Sequence, residues 1–296
     1  MEKCKKQLLS YNSDKVKMEY NERVKKRRFI LVLGWLLIIV TAIWGWFWFN
    51  RFKVEEPGIV VLNLSPTEVP REYKIAFMAD IHNDTDSLTR ALVVAKQEGA
   101  DRVVLVGDLT NKGDEKYLLK VKEIMDTSRI KYSVVPGNHE YSLANFRKIF
   151  GANYGIVEED LVKLILIDNS YWRGMSEEQI KWIEEAVVGC HIKTCVAVMH
   201  KPLNNLFSSH VMGESNEKAA QQAQWLRQLI VDSGVKRVVA GHLHYSSSYE
   251  LEGIRTDLVG AISVERNTQS PRFMILKISP VEIERKVVEI DYDIGN

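Results

Sequence analysis

Five times between residues 73 and 244 a short apolar run ends the same way, in a carboxylate, an amide or an imidazole. Asp80-Ile81-His82 follows the run 73–79, Gly107-Asp108 the run 101–106, and Gly137-Asn138-His139-Glu140 the run 130–135. Met199-His200 closes 194–198, and Gly241-His242-Leu243-His244 closes 235–240. Such runs, apolar on both faces, suit strands buried inside a sheet. Helical stretches separate them at 87–99, 114–126, 142–149, 176–187 and 216–233, with Ser87 the expected N-cap of the first and Gly99 its end. A further strand is expected over 58–64, and short strands close the chain near 291. Strands alternating with helices predict an α/β layered domain with parallel strands. Ligands bind such sheets beyond the carboxyl ends of the strands. That is where the polar residues fall.

The residue types at those ends narrow the chemistry. Five of the seven histidines lie there. In an extended segment, side chains at i and i+2 point the same way, so His242 and His244 can aim at one place. Imidazole, carboxylate and amide oxygen without thiolate suit Mn, Fe or Zn. Seven ligands of these types are too many for one ion but enough for two sharing a carboxylate. Two ions about 3.5–4 Å apart form a clamp for in-line displacement at phosphorus, and a bridging water becomes hydroxide near neutral pH. No P-loop, nucleophile elbow or dinucleotide fingerprint competes with this reading.

The set D-x-H, G-D, G-N-H-E, H and G-H-x-H resembles the calcineurin-like metallophosphoesterase superfamily, over nearly everything after residue 50. The resemblance implies a four-layer α-β-β-α sandwich. It implies that Asp80, His82 and His244 hold one metal, that Asn138, His200 and His242 hold the other, and that Asp108 bridges them. His139 would protonate or stabilise the leaving oxygen, and a metal-bridging hydroxide would attack the phosphoester. Two departures from the family pattern are present. Glu140 stands where the family usually has Asp, a change of little weight because that acid is not expected to ligate a metal, and Gly107-Asp108-Leu109-Thr110-Asn111-Lys112-Gly113 lacks the Asp-Arg pair of the protein phosphatases. The motifs GDLTNKG, VPGNHE, LIDNS and GHLH look more like the cyclic-nucleotide-phosphodiesterase-like and purple-acid-phosphatase-like branch. The expected substrate is a phosphodiester first and a monoester second. Asn83, Asn111 and Tyr245 adjoin ligands and can touch substrate or pack behind it. His191 and His210 read as loop or surface residues. A lipid-linked phosphate or pyrophosphate is an alternative substrate, suggested by Leu203, Leu206, Phe207, Val211 and Met212 in the polar loop 201–215. A non-catalytic metal-binding scaffold and a nucleotide sensor without turnover are the rivals from other classes.

Charge is unevenly distributed. Residues 1–28 carry ten Lys or Arg against four Asp or Glu, and residues 51–296 carry 30 against 35. An acidic body is not that of a nucleic-acid-binding protein. Between them, residues 29–49 form an uncharged, almost wholly apolar stretch of 21 residues with Trp44, Trp46 and Trp48 at its far end. About 20 apolar residues span a bilayer core, and aromatic belts mark its interfaces. The expected organisation is a cytoplasmic tail (1–28), a single-pass signal anchor (29–49), a linker (50–57) and a metallophosphoesterase domain (58–296). By the positive-inside rule that domain lies on the non-cytoplasmic side. Cys190 and Cys195 can pair in an oxidising compartment, or Cys195 can serve as a small buried side chain. Protease added to intact cells is expected to digest the domain; full protection of it would overturn this topology.

Overall fold

The computed structural model describes residues 72–265 and 267–290, together with residues 25, 34 and 39–46. The chain divides into two compact units, Met1–Thr67 and Glu68–Asn296. In the first, residues 39–46 are helical with exposed side chains. Most of the expected span 29–49, and all of the expected strand 58–64, lie outside the described residues. Among the described residues, no helix is long and apolar enough to cross a membrane.

The second unit begins with three strand–helix pairs: β1 (Tyr73–Met78), α1 (Thr85–Gln97), β2 (Arg102–Val106), α2 (Glu115–Ser128), β3 (Lys131–Val135) and α3 (Leu143–Phe150). It continues with β4 (Gly155–Glu158), β5 (Lys163–Leu166), α4 (Glu177–Ala186), β6 (Cys195–Val198), α5 (Glu217–Ser233) and β7 (Arg237–Ala240). Strands β8 (Ser247–Leu251), β9 (Ile254–Leu258), β10 (Arg272–Ile278) and β11 (Ile283–Glu289) complete it. They form two sheets, ordered β11-β10-β1-β2-β3 and β4-β5-β6-β7-β9-β8. Strands β1, β2 and β3 run parallel in the first, and β5, β6, β7 and β9 in the second.

Strand alternation explains the layering. Ile75, Phe77, Val104 and Val106 face inward and meet Leu164, Val196, Val198 and Val239 of the other sheet in one buried cluster. Their sequence neighbours Ala76, Met78, Val103 and Leu105 face outward onto Leu88, Leu118, Val121 and Phe146 of α1, α2 and α3. In the second sheet, Ile165 and Ala197 pack outward on Ile183 of α4 and Leu226 of α5. A parallel strand with helices on one face and a sheet on the other needs apolar side chains at every position. That is why Ile75–Met78 of β1 and Val103–Val106 of β2 show no polar alternation.

Two local details refine the sequence reading. The first helix is capped by Asp84 rather than Ser87: the Asp84 carboxylate accepts the Ser87 backbone N–H at 3.0 Å and the Ser87 hydroxyl at 2.5 Å. A carboxylate three residues upstream can accept both bonds and complements the helix dipole, so the helix starts a turn earlier. Cys190, in the turn after α4, and Cys195, at the start of β6, form a disulfide, and both are fully buried. Phe77 is wholly buried between the sheets. Phe77→Ala is expected to destabilise the domain by about 3–5 kcal/mol, read as a lower denaturation midpoint.

Candidate metal centre

The polar residues that end β1, β2, β3, β6 and β7 meet at one edge of the paired sheets. Donor atoms of Asp80, His82, Asp108 and His244 lie within 4.8 Å of one another, as do those of Asp108, His200 and His242. Asp108 belongs to both groups. The His82 and His244 Nε2 atoms are 3.1 Å apart, and His244 Nε2 lies 3.5 Å from Asp80 Oδ1. His200 Nε2 lies 3.2 Å from both Asp108 Oδ2 and Asn138 Oδ1, and its ring centroid is 5.1 Å from that of His242. All seven expected ligands are therefore gathered in one place. His139 adjoins them, with Nε2 4.0 Å from Asp108 Oδ2 and its ring edge against His82.

Tight turns make the convergence possible. Asp80, His82, Asp108, His242 and His244 all have positive φ, between 49° and 71°. Non-glycine residues rarely hold that conformation, and it clusters at functional sites where surrounding structure over-determines it. The determinants are visible. The Ile81 and His82 amides donate to the Asp108 carbonyl, and the His242 amide donates to the Asp80 carboxylate. Gly107, at φ +84°, lets His200 pass: a Cβ there would stand 2.5 Å from its Nδ1. Gly137 is equally confined, since a Cβ would overlap Asp108.

Electrostatics follow from burial. Asp80 and His200 are fully buried and Asp108 nearly so. Burial, reinforced by the Asp108 charge, pushes the Asp80 carboxyl up to about 8. Burial opposes ionisation of Asp108 too. There the His200 charge and hydrogen bond, with the His139 N–H, win and hold it well below the usual carboxylate range. Burial alone would lower His200, but Asp108 and Asp80 raise it to about 9. His242, with burial and the His200 charge acting together, falls to about 2. Two buried carboxylates beside converging imidazole nitrogens form an electron-rich cage, and buried charges of this kind are stable when they coordinate metals. The donor set fits divalent cations.

Asn83 and Asn111 have a visible role in the site. Asn83 Oδ1 accepts the Asn111 N–H at 3.3 Å, and the Asn111 carbonyl accepts from His139 Nδ1 at 2.9 Å. The pair thus orients the His139 imidazole. His191 and His210 are exposed and outside both donor groups, His210 pairing with Glu214 at 2.8 Å. The sequence reading underrated Glu140. Its buried carboxylate accepts from the Thr110 amide at 3.0 Å, the Thr110 hydroxyl at 3.2 Å and the Gly137 amide at 2.8 Å, tying the β2 and β3 loops together. Its place beside His139 was the available signal. Burial raises it to about 8.

Comparison with known proteins agrees with this geometry. The family described as calcineurin-like phosphoesterase matches residues 73–246. A probable glycerophosphodiester phosphodiesterase of Arcobacter nitrofigilis is 23% identical over 209 residues, covering 64% of this chain and 73% of the relative. A cAMP/cGMP dual specificity phosphodiesterase of Mycobacterium tuberculosis is 25% identical over 236 residues, covering 72% and 71%. A probable cyclic nucleotide phosphodiesterase of Rhodococcus erythropolis is 24% identical, covering 59% of this chain and 63% of its own. Among solved structures, GAP50, the anchor in the inner membrane complex of Plasmodium, superposes with a TM-score of 0.58 at 11% identity, covering 76% of this chain and 86% of that one. A purple acid phosphatase from yellow lupin gives 0.55 at 13% identity, covering 76% and 55%. At such identities these two share the fold alone.

The shifted groups predict a pH dependence. Folded Asp80 and Glu140 keep their protons up to about 8, whereas their ordinary values are 3.8 and 4.5. Folded His200 keeps its proton up to about 9 against 6.5. The folded state then binds more protons than the unfolded one, so stability falls as pH rises. His242 and Asp108 act oppositely, but only below their ordinary 6.5 and 3.8. The metal-free protein should therefore melt at progressively lower temperature from pH 6.5 to 8. Saturating Mn or Zn should flatten that slope, since cations replace the protons.

Proposed function

Since this chain belongs to the calcineurin-like phosphoesterase family and is a metal-dependent phosphoric ester hydrolase, we propose that it cleaves a phosphodiester at a dinuclear centre. The observation that carries this reading is the sharing of Asp108 between the two donor groups. Asp80, His82 and His244 would hold one cation, Asn138, His200 and His242 would hold the other, and Asp108, common to both donor groups, would serve both. Two divalent cations, when bound, lower the pKa of a water and offset charge on the phosphoryl oxygens. The protein supplies the remainder. His139 donates to the Asn111 carbonyl through Nδ1, which leaves Nε2, on the Asp108 side of the ring, to give a proton to the departing oxygen. Water adds to phosphorus, one ester oxygen leaves as an alcohol, and the product is a phosphomonoester. The phosphodiesterase relatives and the missing Asp-Arg pair after Gly107 favour a diester over a phosphoprotein.

A lipid-linked phosphate or pyrophosphate is the second reading, with narrower support than the sequence suggested. Leu203 and Met212 are buried in the core and cannot meet a substrate, whereas Leu206 and Phe207 stand 59% and 87% exposed in the loop after His200. We also place the domain outside the cytoplasm, tethered by residues 29–49. The apolar stretch supports this, and so does the Cys190–Cys195 disulfide, since disulfides persist in oxidising compartments.

The full chain in detergent, loaded in turn with Mn, Fe or Zn, is expected to hydrolyse bis-p-nitrophenyl phosphate faster than p-nitrophenyl phosphate. Asp108→Ala should abolish turnover, and His139→Ala should lower kcat by about 10²–10⁴-fold. Preference for the monoester would make the enzyme a phosphomonoesterase. Two ions bound with no turnover of either ester would favour the lipid-linked substrate or a metal-binding scaffold.

A further inference from the structure

We propose that Asn169 is the positioning residue that sets His200, and with it the second metal position of the dinuclear centre proposed above. Strand β5 is parallel to β6 and adjacent to it, yet its end carries none of the seven donors. It carries Asp168-Asn169-Ser170, all three buried. The last backbone bond of the β5–β6 ladder is the Ile167 N–H donating to the Val198 carbonyl at 2.8 Å. Three residues farther along β6, a side chain takes over. Asn169 Nδ2 donates to the Lys201 carbonyl at 2.7 Å, and Asn169 Oδ1 accepts the Lys201 N–H at 3.0 Å. One carboxamide thus satisfies both backbone groups of the residue that directly follows His200.

The opposite side of the same segment is held by backbone. The Met199 N–H donates to the Val239 carbonyl at 3.0 Å, and the His200 carbonyl accepts the Gly241 N–H at 3.0 Å. The His200 ring is fixed at its far nitrogen, where Nδ1 donates to the Val106 carbonyl of the other sheet at 2.8 Å. With main chain and Nδ1 both held, Nε2 has one direction left, toward Asp108 and Asn138. Of these restraints, the clamp from β5 is the only one made by a side chain of another element, and so the one that mutation can remove.

The clamp is itself braced. Asp168 accepts from the Ser170 amide at 3.0 Å and hydroxyl at 2.6 Å, and from Asn153 Nδ2 at 2.5 Å. Asn153 in turn accepts from Arg147 of α3 at 2.8 Å, and the Asp168 carbonyl accepts from Gln179 of α4 at 2.8 Å. Asn169 Nδ2 also lies 3.8 Å from Met212 Sδ, in the loop after His200. Only a carboxamide offers a donor and an acceptor side by side in this reach. Aspartate would set an oxygen against the Lys201 carbonyl, and alanine would leave both Lys201 groups buried without partners.

Cobalt titration of the metal-free full chain in detergent tests this, comparing wild type, Asn169→Ala, which loses both bonds, and Asn169→Asp, which keeps the acceptor for the Lys201 N–H but loses the donor to its carbonyl. His242→Ala and His244→Ala serve as references, each removing a ligand from one position. Wild type should bind two ions. Both Asn169 variants should lose affinity at one position by about 10- to 100-fold, the range for residues behind a ligand, with the other within about twofold. The visible spectrum of their one-cobalt form should match that of His242→Ala. Equal weakening at both positions, unchanged affinities, or a spectrum matching His244→Ala would overturn the assignment. Fewer than two ions on the wild type would instead overturn the dinuclear reading, and this inference with it.

Discussion

Asp108 lies almost wholly out of water, one strand from the fully buried Asp80, and the rest of the site is organised around the charge they share. Two carboxylates so placed repel each other and lose hydration together, so the protein can keep only one of them readily ionised. His200 decides which: its imidazole lies 3.2 Å from Asp108, and the His139 amide donates to the same carboxylate at 2.8 Å. Asp80 is left as the group that titrates upward. An electron-rich cage results, which protons hold together when cations do not. Metal affinity and acid–base state are therefore one property of this site.

The cage sits where it does because of how the sheets are built. Each parallel strand buries both of its faces, one on helices and one on the opposite sheet. That leaves the strand ends as the only places where these segments can present polar groups. Five ends converge because the strands run parallel within each sheet and the sheets are stacked. Backbone conformations that are costly in isolation, positive φ at five of the seven expected ligands, are held by amide bonds running between strand ends, such as those from Ile81 and His82 to the Asp108 carbonyl. Glu140 and Asn169 belong to the same scaffold. Neither is among the expected donors, yet one ties the β2 loop to the β3 loop and the other ties β5 to the segment after His200.

Residues 29–49 stand apart from that logic. Their length and their lack of charge are properties of composition, read without any fold, and they support the proposed anchoring rather than any step of the chemistry. The disulfide between Cys190 and Cys195 accords with the proposed placement of the domain, since disulfides persist in oxidising compartments. The loop 201–215 divides between two roles. Leu203 and Met212 belong to the core, and Leu206 and Phe207 are left at the surface.

Much of the strand–helix order, and the gathering of Asp80, His82, Asp108, Asn138, His200, His242 and His244, was legible in the sequence. Runs with no polar face can only be buried strands, and donors placed at their ends can only meet along one edge. Short-range chemistry did less well when two acceptors competed: Asp84 capped the helix expected to begin at Ser87, because its carboxylate takes two bonds from that serine. Whether Cys190 and Cys195 pair was left open by spacing alone and decided by the turn after α4, which brings their Cα atoms to 5.4 Å. The parts of the site invisible in sequence are those that act through backbone groups of distant residues. Asn169 reaches Lys201 across 32 positions, and Asn83 and Asn111, picked out in the sequence only as neighbours of expected ligands, orient His139 through main-chain atoms. The sequence by itself determined which residues would be buried, which would be polar, and that the polar ones would lie at strand ends. Only the tertiary structure decided which of them hold the donors in place, because every main-chain N–H and C=O is alike until the fold brings a particular side chain against it.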